Sequence, residues 1–124
     1  MSFLKIGKIN IKEINFAITA EEQRDGLMYV NEPIITIFPY KKAEVRKFWM
    51  DNVKFPLDMI FCCKGKVIDI LSAKPYDKKL VGSKKPCDTV IEVMGGMCAY
   101  NGIQIGDDII IKYDKDNLKK FLSQ

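Results

Sequence analysis

Apolar and polar positions alternate with a period of two along much of the chain. Between Ile6 and Ile18 the apolar members are Ile9 and Ile11, then Ile14 and Phe16. The change of phase between Ile11 and Ile14 places a bend or bulge near Glu13, so this stretch reads as one bent strand or two short ones. The run 34–38 is rich in β-branched residues, continuous and closed by Pro39, as a buried strand requires. The charged tract 40–47 reads as exposed. Further strands are expected at 45–50 and 57–63, on either side of a turn built from Asp51, Asn52 and Pro56. Lys64-Gly65 forms a tight turn into Lys66-Val67-Ile68, and strands follow at 87–94 and 108–113. Residues 74–86, with Pro75, Gly82, Pro86 and several lysines, show little apolar periodicity and read as a long loop.

Helical signals are few. Thr19 and Glu22 make a capping box for a helix over 20–25, which Gly26 stops. Residues 97–101 suit one helical turn ended by Gly102, and Asp114 caps a helix over 115–122 whose Leu118, Phe121 and Leu122 share a face. Strands do not alternate with helices, so the pattern predicts a mainly β fold, α+β only at its margins. The expected form is an antiparallel β-sandwich or distorted barrel of about six to eight strands with two short helices. The length of 124 residues, 48% of them apolar, suits a single domain.

Charge and composition narrow the chemistry. There are 20 basic and 16 acidic residues, and every basic one except Arg24 and Arg46 is lysine. Base and phosphate recognition leans on the arginine fork, so no specific nucleic-acid binding is expected from scattered lysines. The absence of histidine excludes a histidine base and histidine-held metals. Cys62, Cys63, Cys87 and Cys98 lack C-x-x-C spacing, so they read as reduced, metal-free thiols, and no cofactor is expected. No apolar run approaches a membrane span and the N-terminus has no apolar leader stretch, which predicts a cytoplasmic protein without membrane contact.

The candidate chemistry centres on Phe48-Trp49-Met50-Asp51-Asn52, followed by Pro56-Leu57-Asp58, where the sole tryptophan stands beside polar groups. Arg24, Asn52, Asp58 and Glu92 are polar residues inside apolar words, and charges buried there need partners. One arrangement pairs Arg24 with Asp58 or Glu92 and fixes the first helix to the sheet. Another lines a cleft with Arg24, Trp49, Asn52, Asp58 and Glu92, holding a small polar ligand such as a carboxylate or sugar. A third uses Asp51 and Asp58 as acid and base in glycoside-type hydrolysis. Trp49 is expected to be largely buried near Leu27 and Met28, which the Gly26 stop aims at the sheet.

Several words here, Arg24-Asp25-Gly26-Leu27-Met28, Met50-Asp51-Asn52 with Pro56-Leu57-Asp58, Gly65-Lys66-Val67 and Gly102-Ile103-Gln104-Ile105-Gly106-Asp107, resemble the domain of unknown function 192 family over roughly residues 11–113. The resemblance implies a small, mostly β domain with no established activity, in a family whose members are often exported. This chain departs from it at Lys84, Lys85 and Pro86, where small residues are usual, and in a longer C-terminal helix. Lacking a nucleophile paired with a base, a phosphate loop or a metal cluster, the sequence favours a non-enzymatic binding or assembly module. Its partner would be an unknown protein or a small polar ligand, in a phage-encoded accessory or structural protein. The alternative is a carboxylate-dependent hydrolase or carbohydrate-active enzyme using Asp51 and Asp58.

Overall fold

The computed structural model describes residues 1–124. In chain order the elements are β1 (Phe3–Ile6), β2 (Ile9–Ile11), β3 (Ile14–Phe16), α1 (Ala20–Asp25), β4 (Ile35–Glu44), β5 (Leu57–Cys63), β6 (Lys66–Ala73), β7 (Cys87–Met94), α2 (Met97–Asn101), β8 (Ile109–Lys112) and α3 (Lys115–Leu122). They build a three-stranded antiparallel sheet, ordered β2-β1-β8, and a five-stranded sheet, ordered β3-β4-β7-β5-β6. Main-chain bonds stitch the two together where β6 begins. The Val67 N–H donates to the Asp107 carbonyl at 2.9 Å, the Gly106 N–H to Val67 at 2.8 Å, and the Ile109 N–H to Gly65 at 2.9 Å.

The larger sheet is apolar on both faces, because successive side chains on a strand point to opposite sides. Ile37, Ile60, Ile91 and Val93 face Leu4 and Ile6 of the smaller sheet. Their neighbours Phe38, Phe61 and Val90, with Met59, pack on the other side with Ala17, Leu27 and Met50. Six consecutive residues of β5 are therefore buried, the signature of a central strand covered twice. Fully burying each such side chain contributes about 1.5–3 kcal/mol, so the two clusters dominate folding.

Local chemistry sets the helices. The Thr19 hydroxyl accepts the Glu22 N–H at 3.1 Å while the Glu22 carboxylate accepts the Thr19 N–H at 3.1 Å, completing the capping box. Gln23 Nε2 then donates to the Ala17 and Pro39 carbonyls, tying α1 across β3 and β4. At the C-terminus Asp114 caps α3, and Tyr113 stacks between Phe16 and Phe121 with centroids 4.8 and 5.7 Å away. Lys120 Nζ reaches Glu22 Oε2 at 2.7 Å. Against partial burial, hydrogen bonds from Lys120 and from the Thr19 and Ile18 amides hold the Glu22 carboxyl down to about 2.

The mainly β class stands, and the structure differs from the expectation in its details. The sheets do not close into a barrel, and one pairing is parallel, β3 with β4, so the fold is not purely antiparallel. Three short helices form, at each of the three places that the capping and glycine signals gave, where the expected architecture counted two. The strand expected at 45–50 is absent: β4 instead runs on through Pro39 to Glu44, and only Phe48 bridges to Val81. Pro39 stands opposite Thr89 of β7 at the last regular pair, beyond the end of the β3 pairing at Ile37, and the register shifts between Pro39 and Glu44, a bulge of the kind that admits proline in a strand. Finally, Phe3–Ile6 is a strand that four residues of alternation are too short to announce; pairing with β2 and β8 creates it.

The bridge between Phe48 and Val81, with bonds of 2.7 and 2.8 Å, anchors the 74–86 loop beside the larger sheet. Next to it, a Cβ on Gly82 would collide with the Arg46 main-chain carbonyl and lie 3.0 Å from the Lys47 Cα. Gly82→Ala is therefore expected to cost about 1–3 kcal/mol through overpacking, read as a lower urea midpoint. A shift below about 0.5 kcal/mol would mean that this backbone gives way freely.

Candidate functional site

On the face of the larger sheet away from the smaller one lies a cavity of about 320 Å³. Its floor is the sheet itself, with Phe38, Leu57 and Glu92. One wall is the end of α1 and the turn after it, where Gly26 takes φ +50° and delivers Leu27 and Met28 to the cavity. Tyr40 and the segment Lys47-Phe48-Trp49 form the other wall.

Glu92 is the feature that ordinary packing does not explain. It lies on β7 between Thr36 of β4 and Met59 of β5, and it is only 4% exposed. Its carboxyl takes part in none of the side-chain hydrogen bonds or the four ion pairs. The one sealed side-chain polar atom without a partner is Arg46 Nε, so the Glu92 oxygens open to the cavity that they line. Burial pushes the carboxyl up to about 8, leaving it largely a neutral acid at pH 7. Beside it, burial also raises the Tyr40 phenol, against the pull of the Arg46 guanidinium 3.7 Å above the ring.

Of the residues singled out in the sequence, the fold brings Arg24, Trp49 and Glu92 to this cavity and leaves Asn52 and Asp58 outside its lining. Arg24 does not pair with Asp58 or Glu92. Its Nε meets neighbouring Asp25 at 3.4 Å, both side chains more than half exposed, since the chain direction of α1 points them to solvent. Trp49 lines the cavity with Leu27 and Met28, but it is 44% exposed rather than largely buried, because the expected strand around it does not form. Asn52 occupies the left-handed region at φ 59° and its carbonyl accepts the Tyr29 N–H at 2.9 Å, a turn role. Asp58 is 6% exposed, and its Oδ2 accepts the Gly96 and Cys98 N–H groups at 3.1 Å each, supplying the cap that α2 lacks. Asp51 stands exposed in its turn.

Sequence reasoning missed Tyr40 and Lys47, which fell within a tract read as exposed. The available signal was Tyr40, an aromatic continuing the buried run past Pro39. It also missed backbone strain next to the lining segments: Tyr29 and Tyr76 hold φ of 60° and 57°, each costing about 1–2 kcal/mol for a residue with a Cβ. These tyrosines flank cavity segments, Tyr29 following Met28 and the Tyr76 N–H bonding to the Val53 carbonyl.

The other reactive groups are quiet. Cys62, Cys63, Cys87 and Cys98 are free, and burial pushes the Cys87 thiol up to about 11 and the Cys98 thiol to about 12. Burial raises Cys62 further. A thiol so shifted is a poor nucleophile. No three His, Cys, Asp or Glu side chains are grouped to hold a metal ion, and no helix is long and apolar enough to cross a membrane.

Known proteins share this architecture. The model of the domain of unknown function 192 family, described as an uncharacterized ACR, matches residues 3–111. A protein of unknown function from Novosphingobium aromaticivorans superposes with a TM-score of 0.80 at 30% identity, over 87% of this chain and 83% of that one. A candidate transcription regulator from Sinorhizobium meliloti also superposes with a TM-score of 0.80, at 21% identity over 90% of this chain and 94% of that one. None of the curated proteins matches.

Proposed function

This chain belongs to the domain of unknown function 192 family, an uncharacterized family, and on that premise we propose that it is a non-enzymatic module that binds a small ligand in the cavity beneath Trp49. The observation that carries the proposal is Glu92, a buried carboxyl without a partner at the floor of a cavity of about 320 Å³. Folding gains nothing from such a group, since desolvating an acid without compensation destabilises the native state. A ligand that completes its hydrogen bonds accounts for it. The volume falls at the lower end of the small-molecule range, and apolar walls with few polar groups are the usual form of such sites.

The binding reading is favoured over the hydrolase because Asp58 commits one oxygen to two amides of α2 while Asp51 faces solvent. Three of the four thiols are buried and the chain has no histidine, so no cysteine stands beside a histidine base. The likeness to a candidate regulator at 21% identity speaks for the fold alone.

Trp49 is the sole tryptophan and lines the cavity, so its fluorescence reports on occupancy directly. Titration with a diverse set of small aromatic and cyclic compounds is expected to give a saturable change for at least one. Trp49→Ala is expected to cost no more than about 1 kcal/mol of stability, because the indole is half exposed, while weakening that ligand about tenfold or more. A loss near 3–5 kcal/mol, the range for truncating a core aromatic, would make Trp49 a packing residue. No saturable response from any compound would remove the proposal.

A further inference from the structure

Resting on the small-ligand reading above, we infer that the cavity selects an organic ammonium ion, whose charge is met by Glu92 at the floor and by aromatic faces along the walls. Phe38, Tyr40, Phe48 and Trp49 all line the space in front of the carboxyl. Aromatic faces carry negative potential and attract cations. Of the three charge types only a cation draws on both features, since it meets the negative faces of the rings and, once Glu92 gives up its proton, the charge of the carboxylate.

The fold keeps its own cations away from Glu92. Arg24, from α1, is on the rim but meets Asp25 at 3.4 Å. Arg46 lies over the Tyr40 ring and bonds the Lys42 carbonyl at 2.7 Å. Lys47 stands at the mouth as a free positive charge, which opposes a second cationic group there and so favours a monocation with an apolar body. From β4 and β5 the immediate neighbours of Glu92 are the uncharged Thr36 and Met59. Buried carboxylates are almost always paired in folded proteins, and this one finds its partner only outside the chain.

Proton balance gives the inference a signature. The free site holds Glu92 as a neutral acid near pH 7, since burial pushes it up to about 8. When an ammonium ion binds, the acid gives its proton to solvent and remains as carboxylate against the bound cation, while the ligand keeps all its own protons. Binding therefore releases up to one proton below pH 8 and none well above it.

Calorimetry of the full chain with phenethylammonium, phenethyl alcohol and phenylacetate, from about pH 6 to about pH 8.5 in buffers of different ionisation enthalpy, decides the matter. Phenethylammonium should bind most tightly, with affinity rising up to about tenfold per pH unit below 8 and levelling above. Glu92→Gln, checked for a native circular dichroism spectrum, should abolish the proton release and weaken the ammonium at least about tenfold, with little effect on the alcohol. If the alcohol binds as tightly as the ammonium, or Glu92→Gln leaves the ammonium unaffected, the ammonium inference falls and the small-ligand reading stands. If none of the three binds, the ammonium inference falls, while the small-ligand reading is decided separately by the titration of Trp49 fluorescence with the diverse compounds.

Discussion

Replacing Glu92 by Gln is expected to make the protein more stable at alkaline pH, by several kcal/mol and at most about 5. The upper figure follows from the rise of the carboxyl from 4.5 to about 8 on folding, at about 1.4 kcal/mol per unit. Below pH 4.5 the acid is neutral in both the folded and the unfolded chain, and the contribution of the group is fully present. As pH rises, the unfolded chain ionises first while the folded one still holds its proton, so stability drains away until pH passes about 8. Glutamine keeps the shape and cannot ionise, so the variant loses this slope. Urea unfolding at about pH 5, 7 and 9 is the check. The parent curve should fall away from the variant curve across that window, and parallel curves would show that the carboxyl is well solvated. Stabilisation by removing a polar group is the usual mark of a residue kept for a task other than folding.

Asp58→Ala is expected to act in the opposite direction, costing about 3–5 kcal/mol. Its single oxygen Oδ2 accepts from the Gly96 and Cys98 amides, and leaving a buried donor unsatisfied costs about 1–3 kcal/mol each. Asp58→Asn keeps an acceptor and loses the charge, so its cost should be smaller, about 1–2 kcal/mol. Thermal and denaturant unfolding of both variants would check this order. An Asp58→Asn protein as stable as the parent or more so would point to a carboxylate strained for catalysis, and would bring the Asp51 and Asp58 hydrolase back.

The contrast between these two carboxyls marks how far the sequence could be read. Both stand in apolar words, and both were recognisable as buried charges that need partners. The partner itself was not legible for Asp58, because the amides that satisfy it lie 38 and 40 positions away, on a helix start whose approach depends on the whole sheet. One reading of the sequence pairs Arg24 with Asp58 or Glu92, although nothing along a short exposed helix fixes whether its arginine turns inward or to its neighbour. Local chemistry was legible where it closes within a few residues. The Thr19 and Glu22 capping box is one case, and another is the Lys64-Gly65 turn, which takes φ of 51° and 77°. Elements that exist only through distant pairing were not. Residues 45–50 have strand-like composition yet stay irregular, because β7 pairs instead with β4, which continues past Pro39. That substitution exposes Trp49 and opens the space it lines.

The most direct test is a carbon NMR titration of the Glu92 side-chain carboxyl, without ligand and with phenethylammonium at saturation. The free protein should show a midpoint near pH 8, and the bound protein a midpoint lowered by at least about one unit, as an opposite charge within contact distance requires. A free midpoint at the ordinary value of about 4.3, unchanged by the ammonium, would contradict the account.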